Sequence, residues 1–252
     1  MPLTIESCVA RHIGDRKEQQ DRVNLFAHPT RAGMMMAVLA DGMGGHSGGA
    51  MAAEQVLIKA QQNFEGYTPN SETPQELLAS VIREAHVVIR LTRFTSEQDP
   101  HSTAVVLLLQ PGRVDWVHCG DSRLYHFRGS ETVSRSPDHS LVGELQRKGV
   151  IDEAGSLTHP QRNVLLSCLG GEREPRTDYG ALTPLRVGDS FLLCSDGLWA
   201  YFSDDELAQT IAANGAREAA RLLIQQARER ATGAGDNISL SIIKLVEAAP
   251  SR

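Results

Sequence analysis

The 252 residues hold little aromatic side chain (5%), and the longest apolar run is MMMAVLA at 34–40. A helix that spans a bilayer needs about 20 consecutive apolar residues, so no membrane segment is expected. Positive charge is also short: 25 Lys and Arg against 31 Asp and Glu leave a formal net charge of -6. Without a basic face the chain is not expected to bind nucleic acid in general. The cysteines, Cys8, Cys119, Cys168 and Cys194, stand far apart, with no CxxC and no Cys/His spacing for zinc. Cys8, Cys119 and Cys194 lie in or at the ends of apolar runs and read as buried thiols in a reducing compartment. The opening MPLTIESCVARHIGDRK lacks a basic stretch followed by an apolar one, so no signal peptide is expected. No repeat, low-complexity tract or linker rich in Pro, Gly or Ser divides the chain. These absences lead to the expectation of one soluble, cytoplasmic domain with a sizeable core.

Apolar periodicity predicts strands at 4–13 and 34–40, the second buried on both faces. Ser47 is placed to cap a helix running to about Asn63, and a loop at 66–73 precedes a second helix over 74–94. TAVVLLLQ, RVDWVHC and RLYHFRG, joined by PG at 111–112 and GDS at 120–122, read as an antiparallel meander. Residues 138–175 are polar and irregular, with a short helix near 141–148. A buried strand at 190–195, helices near 203–213 and 216–231 and a strand at 238–246 complete the chain. Elements mixed without a βαβ rhythm predict an α+β fold of antiparallel sheets covered by helices.

The stretch LADGMGGHSGG at 39–49 puts one carboxylate, Asp41, before five glycines and a histidine. It is compatible with a phosphate cradle, a metal ligand on a tight turn, or a flexible loop. Asp41 ends one strand, Asp121 follows VDWVHCG, Asp196 follows SFLLCS and Asp236 precedes ISLSII. Any single Asp is an ordinary turn residue. Four at strand edges, brought to one rim, would repel strongly unless a cation compensated them. Hard divalent cations such as Mg²⁺ or Mn²⁺ take oxygen ligands of this kind. Arg16, in GDRKEQQDR, offers a planar fork suited to phosphate.

In order along the chain, GDRKEQQD, LADGMGGHSGG, STAVVLLL, CGDSRLY, SPDHSL, HPQRN, CSDGLW and GDNIS resemble the motifs of the metal-dependent Ser/Thr protein phosphatase family (PPM, type 2C). The likeness covers about residues 5–246 and is that of a minimal bacterial member, so residues 1–252 are expected to form a single catalytic domain. The resemblance implies an α-β-β-α sandwich, two antiparallel sheets flanked by helix pairs. It implies hydrolysis of phosphoserine and phosphothreonine by a metal-activated water at two core Mn²⁺ or Mg²⁺ ions and a possible third. By that likeness Asp41 and the Gly42 carbonyl hold core metal, Asp196 and Asp236 complete the core set, and Asp121 helps hold the third ion. Arg16 grips the phosphate. Gln20 and Asp21 sit one shell out, and Asn237 fixes its own turn beside Asp236. The expected partners are phosphorylated Ser/Thr proteins, including a Ser/Thr kinase that the enzyme opposes, and the expected state is a monomer.

Two positions depart from the family pattern. Gln20 stands where many members carry an acidic residue, which lowers the charge near the metals; Gln20→Glu would then lower the metal requirement. Met43 stands where eukaryotic members often carry a His, so the proton for the leaving oxygen needs another source. His46 is expected to be dispensable, His139 to support a turn, and His159, Arg162 and Asn163 to support the irregular segment. A catalytically weak phosphoprotein-binding relative is the competing reading, against which the complete set Asp41, Asp196 and Asp236 argues. A different metallohydrolase would favour histidine-rich ligands, and a P-loop enzyme would need GK[ST] after the glycines.

Overall fold

The computed structural model describes residues 3–45, 48–93 and 98–247. The first half holds β1 (Leu3–His12), β2 (Arg22–Ala27), β3 (Met35–Ala40), β4 (Gly42–Met43), α1 (Gly48–Gly66), α2 (Pro74–Thr92), β5 (His101–Ser102), β6 (Ala104–Gln110) and β7 (Arg113–Cys119). The second holds β8 (Arg123–Arg128), β9 (Glu131–Arg135), α3 (Leu141–Arg147), α4 (Glu153–Thr158), β10 (Asp178–Leu182), β11 (Asp189–Cys194), α5 (Asp196–Trp199), α6 (Asp204–Ala213), α7 (Ala216–Ala231) and β12 (Ile238–Glu247). The expected cap Ser47, the loop residue His46 and the helix end Phe94 lie outside the described residues.

Two five-stranded sheets, ordered β1-β12-β11-β8-β9 and β10-β7-β6-β3-β2, are antiparallel throughout. Strand periodicity sends successive side chains to opposite faces, and both faces here are apolar. Ala37 and Leu39 of β3, with Val105, Leu107 and Leu109 of β6, meet Phe191, Leu193, Ile243 and Leu245 from the other sheet. The alternate residues Met36, Val38, Ala40, Val106 and Leu108 pack under α1 and α2. On the far side Leu192, Cys194, Leu240 and Ile242 pack under α6 and α7. The result is the four-layer α-β-β-α sandwich. The helix after the 66–73 loop starts where its sequence dictates: Thr73 and Glu76 form a reciprocal capping box with Pro74 inside the first turn.

The expected meander is corrected. PG at 111–112 does close a hairpin, with Gln110 opposite Arg113. GDS at 120–122 does not: β8 leaves that sheet and pairs with β11 and β9. Its side chains explain the crossing, because Leu124 faces the inter-sheet layer while Tyr125 and Phe127 fill the core under α6 and α7. Strands β2, β9 and β10 also exceed the sequence reading, since RVNLFA, ETVSR and DYGAL lack a clean apolar alternation. Cys119 and Cys194 are buried as expected, but Cys8 is only half-buried.

Candidate metal centre

Strand ends carry the carboxylates. Asp21 directly precedes β2, Asp41 follows β3, Asp121 follows β7 after one glycine, Asp196 opens α5 after β11, and Asp236 stands just before β12. The Asp41 backbone is held tightly. Its N–H donates to Thr103 Oγ1 at 2.9 Å, its carbonyl accepts from the Thr103 N–H at 2.9 Å, and Thr103 Oγ1 is 2.7 Å from Ser122 Oγ. Thus β3 and the 120–122 crossing, which carry Asp41 and Asp121, are tied through one threonine.

The glycines of 39–49 have a packing origin. A Cβ on Gly42 would stand 1.9 Å from the Gly49 carbonyl oxygen and 2.9 Å from that of Gln20. A Cβ on Gly49 would in turn meet the Gly42 backbone at 2.7 Å. The start of α1 therefore rests backbone to backbone on the residue after Asp41. Gly42→Ala should destabilise the fold by about 1–3 kcal/mol, the usual range for overpacking, or more because backbone must move. Its denaturation midpoint against wild type checks this, and an unchanged midpoint would show that the contact can relax.

Five carboxylates converge. Asp41 is pushed well above the ordinary carboxylate range by burial and then by Asp21, Asp196, Asp121 and Asp236. Asp196 is pushed the same way by burial, Asp121, Asp236 and Asp21. Burial and Asp138 raise Asp121 to about 7 against the pull of Arg123. Asp21, 1% exposed, is raised by burial to about 6, although Ser195 Oγ donates to it at 2.8 Å. Mutual elevation of this kind marks negative charge that the protein itself leaves uncompensated. The donors are all oxygens, which suits hard divalent cations such as Mg²⁺ and Mn²⁺. Asp21 therefore sits inside the charge cluster.

Arg16, 59% exposed at its side chain, donates from Nη2 to Asp236 Oδ2 at 2.6 Å. Asn237 reaches further than its own turn, which corrects the expectation for it. Its Oδ1 accepts from the Gln20 N–H at 2.7 Å, and its Nδ2 donates to the carbonyls of Ile13 at 2.8 Å and Glu18 at 3.0 Å. One side chain thereby pins the loop that carries Arg16, Gln20 and Asp21 to the edge of β12. Gly14, at φ +69°, closes the same contact, because a Cβ there would lie 1.9 Å from the Asp236 carbonyl oxygen.

A cleft of about 220 Å³ opens beside Asp121 and Asp196, and Arg162, Asn163, Leu157 and Tyr201 line it. Arg162 and Asn163 thus face the cleft, while His159 supports the local turn by accepting from the Gln161 N–H at Nδ1, 3.1 Å. Three residues that sequence reading gave no role hold the floor. Arg123 makes two 2.8 Å bonds to Asp138 and lies 3.5 Å over the Trp199 ring, and Trp199 Nε1 donates to the Asp121 carbonyl at 2.9 Å. The available signal was Arg123 itself, a charge inside the apolar strand RLYHFR.

A rim of oxygen donors over a four-layer sandwich, with a guanidinium beside it, suits cation-assisted chemistry on a phosphate group. The chain belongs to the protein phosphatase 2C family, whose model matches residues 9–229. It is 30% identical to the protein phosphatase PhpP of Streptococcus pneumoniae serotype 2 (strain D39 / NCTC 7466) over 92% of this chain and 94% of that one. The solved S. agalactiae serine/threonine phosphatase superposes with a TM-score of 0.85 at 28% identity, covering 97% of this chain and 100% of that one. The catalytic domain of the phosphatase PstP, solved in complex with 2 manganese ions, gives a TM-score of 0.79 at 27% identity, covering 98% and 100%.

Proposed function

We propose that this chain hydrolyses phosphoserine and phosphothreonine in proteins with divalent cations held by Asp41, the Gly42 carbonyl, Asp196 and Asp236, and with Asp121 serving a further ion. Family membership makes the chain a protein serine/threonine phosphatase. The observation that carries the cation reading is the clustering of four raised carboxylates, Asp21, Asp41, Asp121 and Asp196, with the Asp236 charge beside them. Bound cations supply charge neutralisation and a more acidic water as nucleophile. The chain's own residues do the rest. Asp21, fixed by Ser195, orients groups at the centre by accepting hydrogen bonds. Arg16 exchanges Asp236 for the substrate phosphate, where its fork stabilises charge growing on the equatorial oxygens. Arg123, clamped by Asp138 and Trp199, keeps the Asp121 backbone in place.

Phosphate release from a phosphothreonine peptide should require Mn²⁺ or Mg²⁺ and stop in excess chelator; full activity in chelator would sink the proposal. Arg16→Ala should lower kcat/KM by about 10–100-fold, since charge-assisted hydrogen bonds contribute about 1.5–3 kcal/mol. Its cation dependence should stay near that of wild type. An unchanged kcat/KM would remove Arg16 from phosphate binding. The natural substrates, on this reading, are cytoplasmic proteins phosphorylated by a Ser/Thr kinase, the kinase among them, and the whole chain acts as one catalytic domain.

A further inference from the structure

Behind the turn that presents Asp121, His118 on β7, His139 before α3 and Asp178 on β10 bring one ring nitrogen each and a carboxylate oxygen within 4.8 Å of one another. His118 and Asp178 are direct cross-strand partners, so the sheet register itself places them side by side. The two imidazoles stack with ring centroids 4.6 Å apart. We propose that this trio is a second cation site, distinct from the carboxylate centre, selective for a nitrogen-loving transition ion such as Zn²⁺ or Co²⁺.

The hydrogen bonds decide which atoms are available. His118 Nε2 lies 2.8 Å from the Pro137 carbonyl, which can only accept, so Nε2 carries the proton. That leaves His118 Nδ1 as a lone pair outside any hydrogen bond, with the Asp178 backbone close to the ring. It is buried without a hydrogen-bond partner, on a residue only 1% exposed. A buried acceptor left unmade costs free energy, which a cation would recover. A metal-ligating histidine characteristically donates its other N–H to a backbone carbonyl, the arrangement His118 already has with Pro137. His139 accepts from the Gly120 N–H at Nδ1, 3.3 Å, and faces Asp178 Oδ2 through Nε2 at 3.2 Å. Coordination through Nε2 moves its proton to Nδ1 and gives up the long Gly120 contact.

Two nitrogens and one carboxylate are borderline donors that suit Zn²⁺, Co²⁺ or Ni²⁺ and are poor ligands for Mg²⁺. Bonds of about 2.0–2.1 Å require the ligand atoms to draw together by roughly an ångström. Asp178, 36% exposed at its side chain, has the freedom to do so. Arg176 stands 4.0 Å from Asp178 and is itself exposed, so it can swing away. Access exists as well: a cavity of about 400 Å³ at the open edge between the sheets is lined by His118 and Asp178 together with Ser136 and Thr177. A solvent molecule from that cavity would complete four-coordination.

The oxygen donors of the carboxylate rim would compete for Zn²⁺, so the test is a difference. Zn²⁺ bound by the full-length protein is counted by equilibrium dialysis in millimolar Mg²⁺, for wild type, His118→Asn and Asp178→Asn. Visible absorption of Co²⁺ titrated into the same proteins reports nitrogen ligation. The expected result is one more Zn²⁺ equivalent in wild type than in either variant, and Co²⁺ bands that weaken in both. Affinity at that site should fall by more than the 10–100-fold lost on removing an outer hydrogen-bond partner. Equal stoichiometry and equal Co²⁺ spectra in all three proteins would overturn the proposal. Asp178→Asn alters a half-exposed side chain, so it decides the matter if His118→Asn fails to fold. Loss of phosphatase activity forms no part of the readout, so the outcome is independent of the function proposed above.

Discussion

Asp41→Asn should cut phosphate release by about 10³-fold and, in the same preparation, raise the melting temperature of the cation-free protein. The two effects share one cause. Asp41 is pushed above the ordinary range by its burial and by four neighbouring carboxylates. At pH 8 the unfolded chain holds Asp41 ionised at no cost, whereas the cation-free fold must either keep the charge desolvated or take up a proton. Asparagine keeps the shape and removes both penalties. Relief of about 1–2 kcal/mol is a modest fraction of what an unpaired buried charge can cost. In a chain of this size that corresponds to a rise of about 2–6 °C. Activity moves the other way, because a cation centre contributes several kcal/mol to transition-state stabilisation. A loss of about 10³-fold in kcat/KM follows from roughly 4 kcal/mol at 1.4 kcal/mol per tenfold. Added Mn²⁺ should raise the wild-type melting temperature more than that of the variant. A lower melting temperature for cation-free Asp41→Asn would mean that the cluster is not under repulsion. Retained turnover would remove Asp41 from the centre.

How far the sequence carries this is visible in Asp41 and Asn237. Asp41 was readable because it ends an apolar run and belongs to a set of four strand-edge aspartates, a pattern whose electrostatic cost is calculable before any fold is known. The layers were readable because strands such as MMAVLA and SFLLCS are apolar on both faces, which demands cover on each side. Asn237 was not readable, since its partners are the carbonyls of Ile13 and Glu18 and the amide of Gln20, more than 200 positions away. Nor was the sheet change at 120–122. A Gly-Asp-Ser turn serves a hairpin or a crossing equally well, and Gly120, at φ +106°, is chosen for its closeness to the Thr103 side chain. Local chemistry writes turns and faces, whereas pairings across the whole chain are settled by which layer each face can fill.

Cation-free protein should lose stability as pH rises from about 6.5 to 8.5, while protein saturated with Mn²⁺ should not. Carboxylates ordinarily do the reverse, because pairing in the fold depresses them. Here Asp121 rises to about 7 and Asp41 and Asp196 go well above the ordinary range, burial being the first cause of each. Across this window the folded state holds protons that the unfolded state has released below pH 5, so the slope of stability with pH is negative. Each proton so held contributes at most about 1.4 kcal/mol per pH unit. Asp41, Asp121 and Asp196 are half-buried at the rim, so solvent screens part of their repulsion and a fall of about 1–3 kcal/mol over the window is expected. Burial also raises Cys8, Cys119, Cys168 and Cys194. Close to their unfolded value of about 8.5 they add the same downward slope to both series, so the difference between the series is what reports the aspartates. Burial lowers His86, His118 and His139, so they favour the fold as pH rises, but only up to the unfolded value near 6.5. Asp15, Asp178 and Asp189 are lowered and contribute fully well below the window. Bound Mn²⁺ reverses the slope, because cation binding needs the carboxylates ionised and competes with their protons. Urea midpoints at pH 6.5, 7.5 and 8.5, with chelator and with Mn²⁺, therefore form two diverging series. Asp41→Asn should flatten the chelator series, since it removes one of the strongly raised protons. Parallel series in wild type would contradict a cluster that exchanges protons for cations.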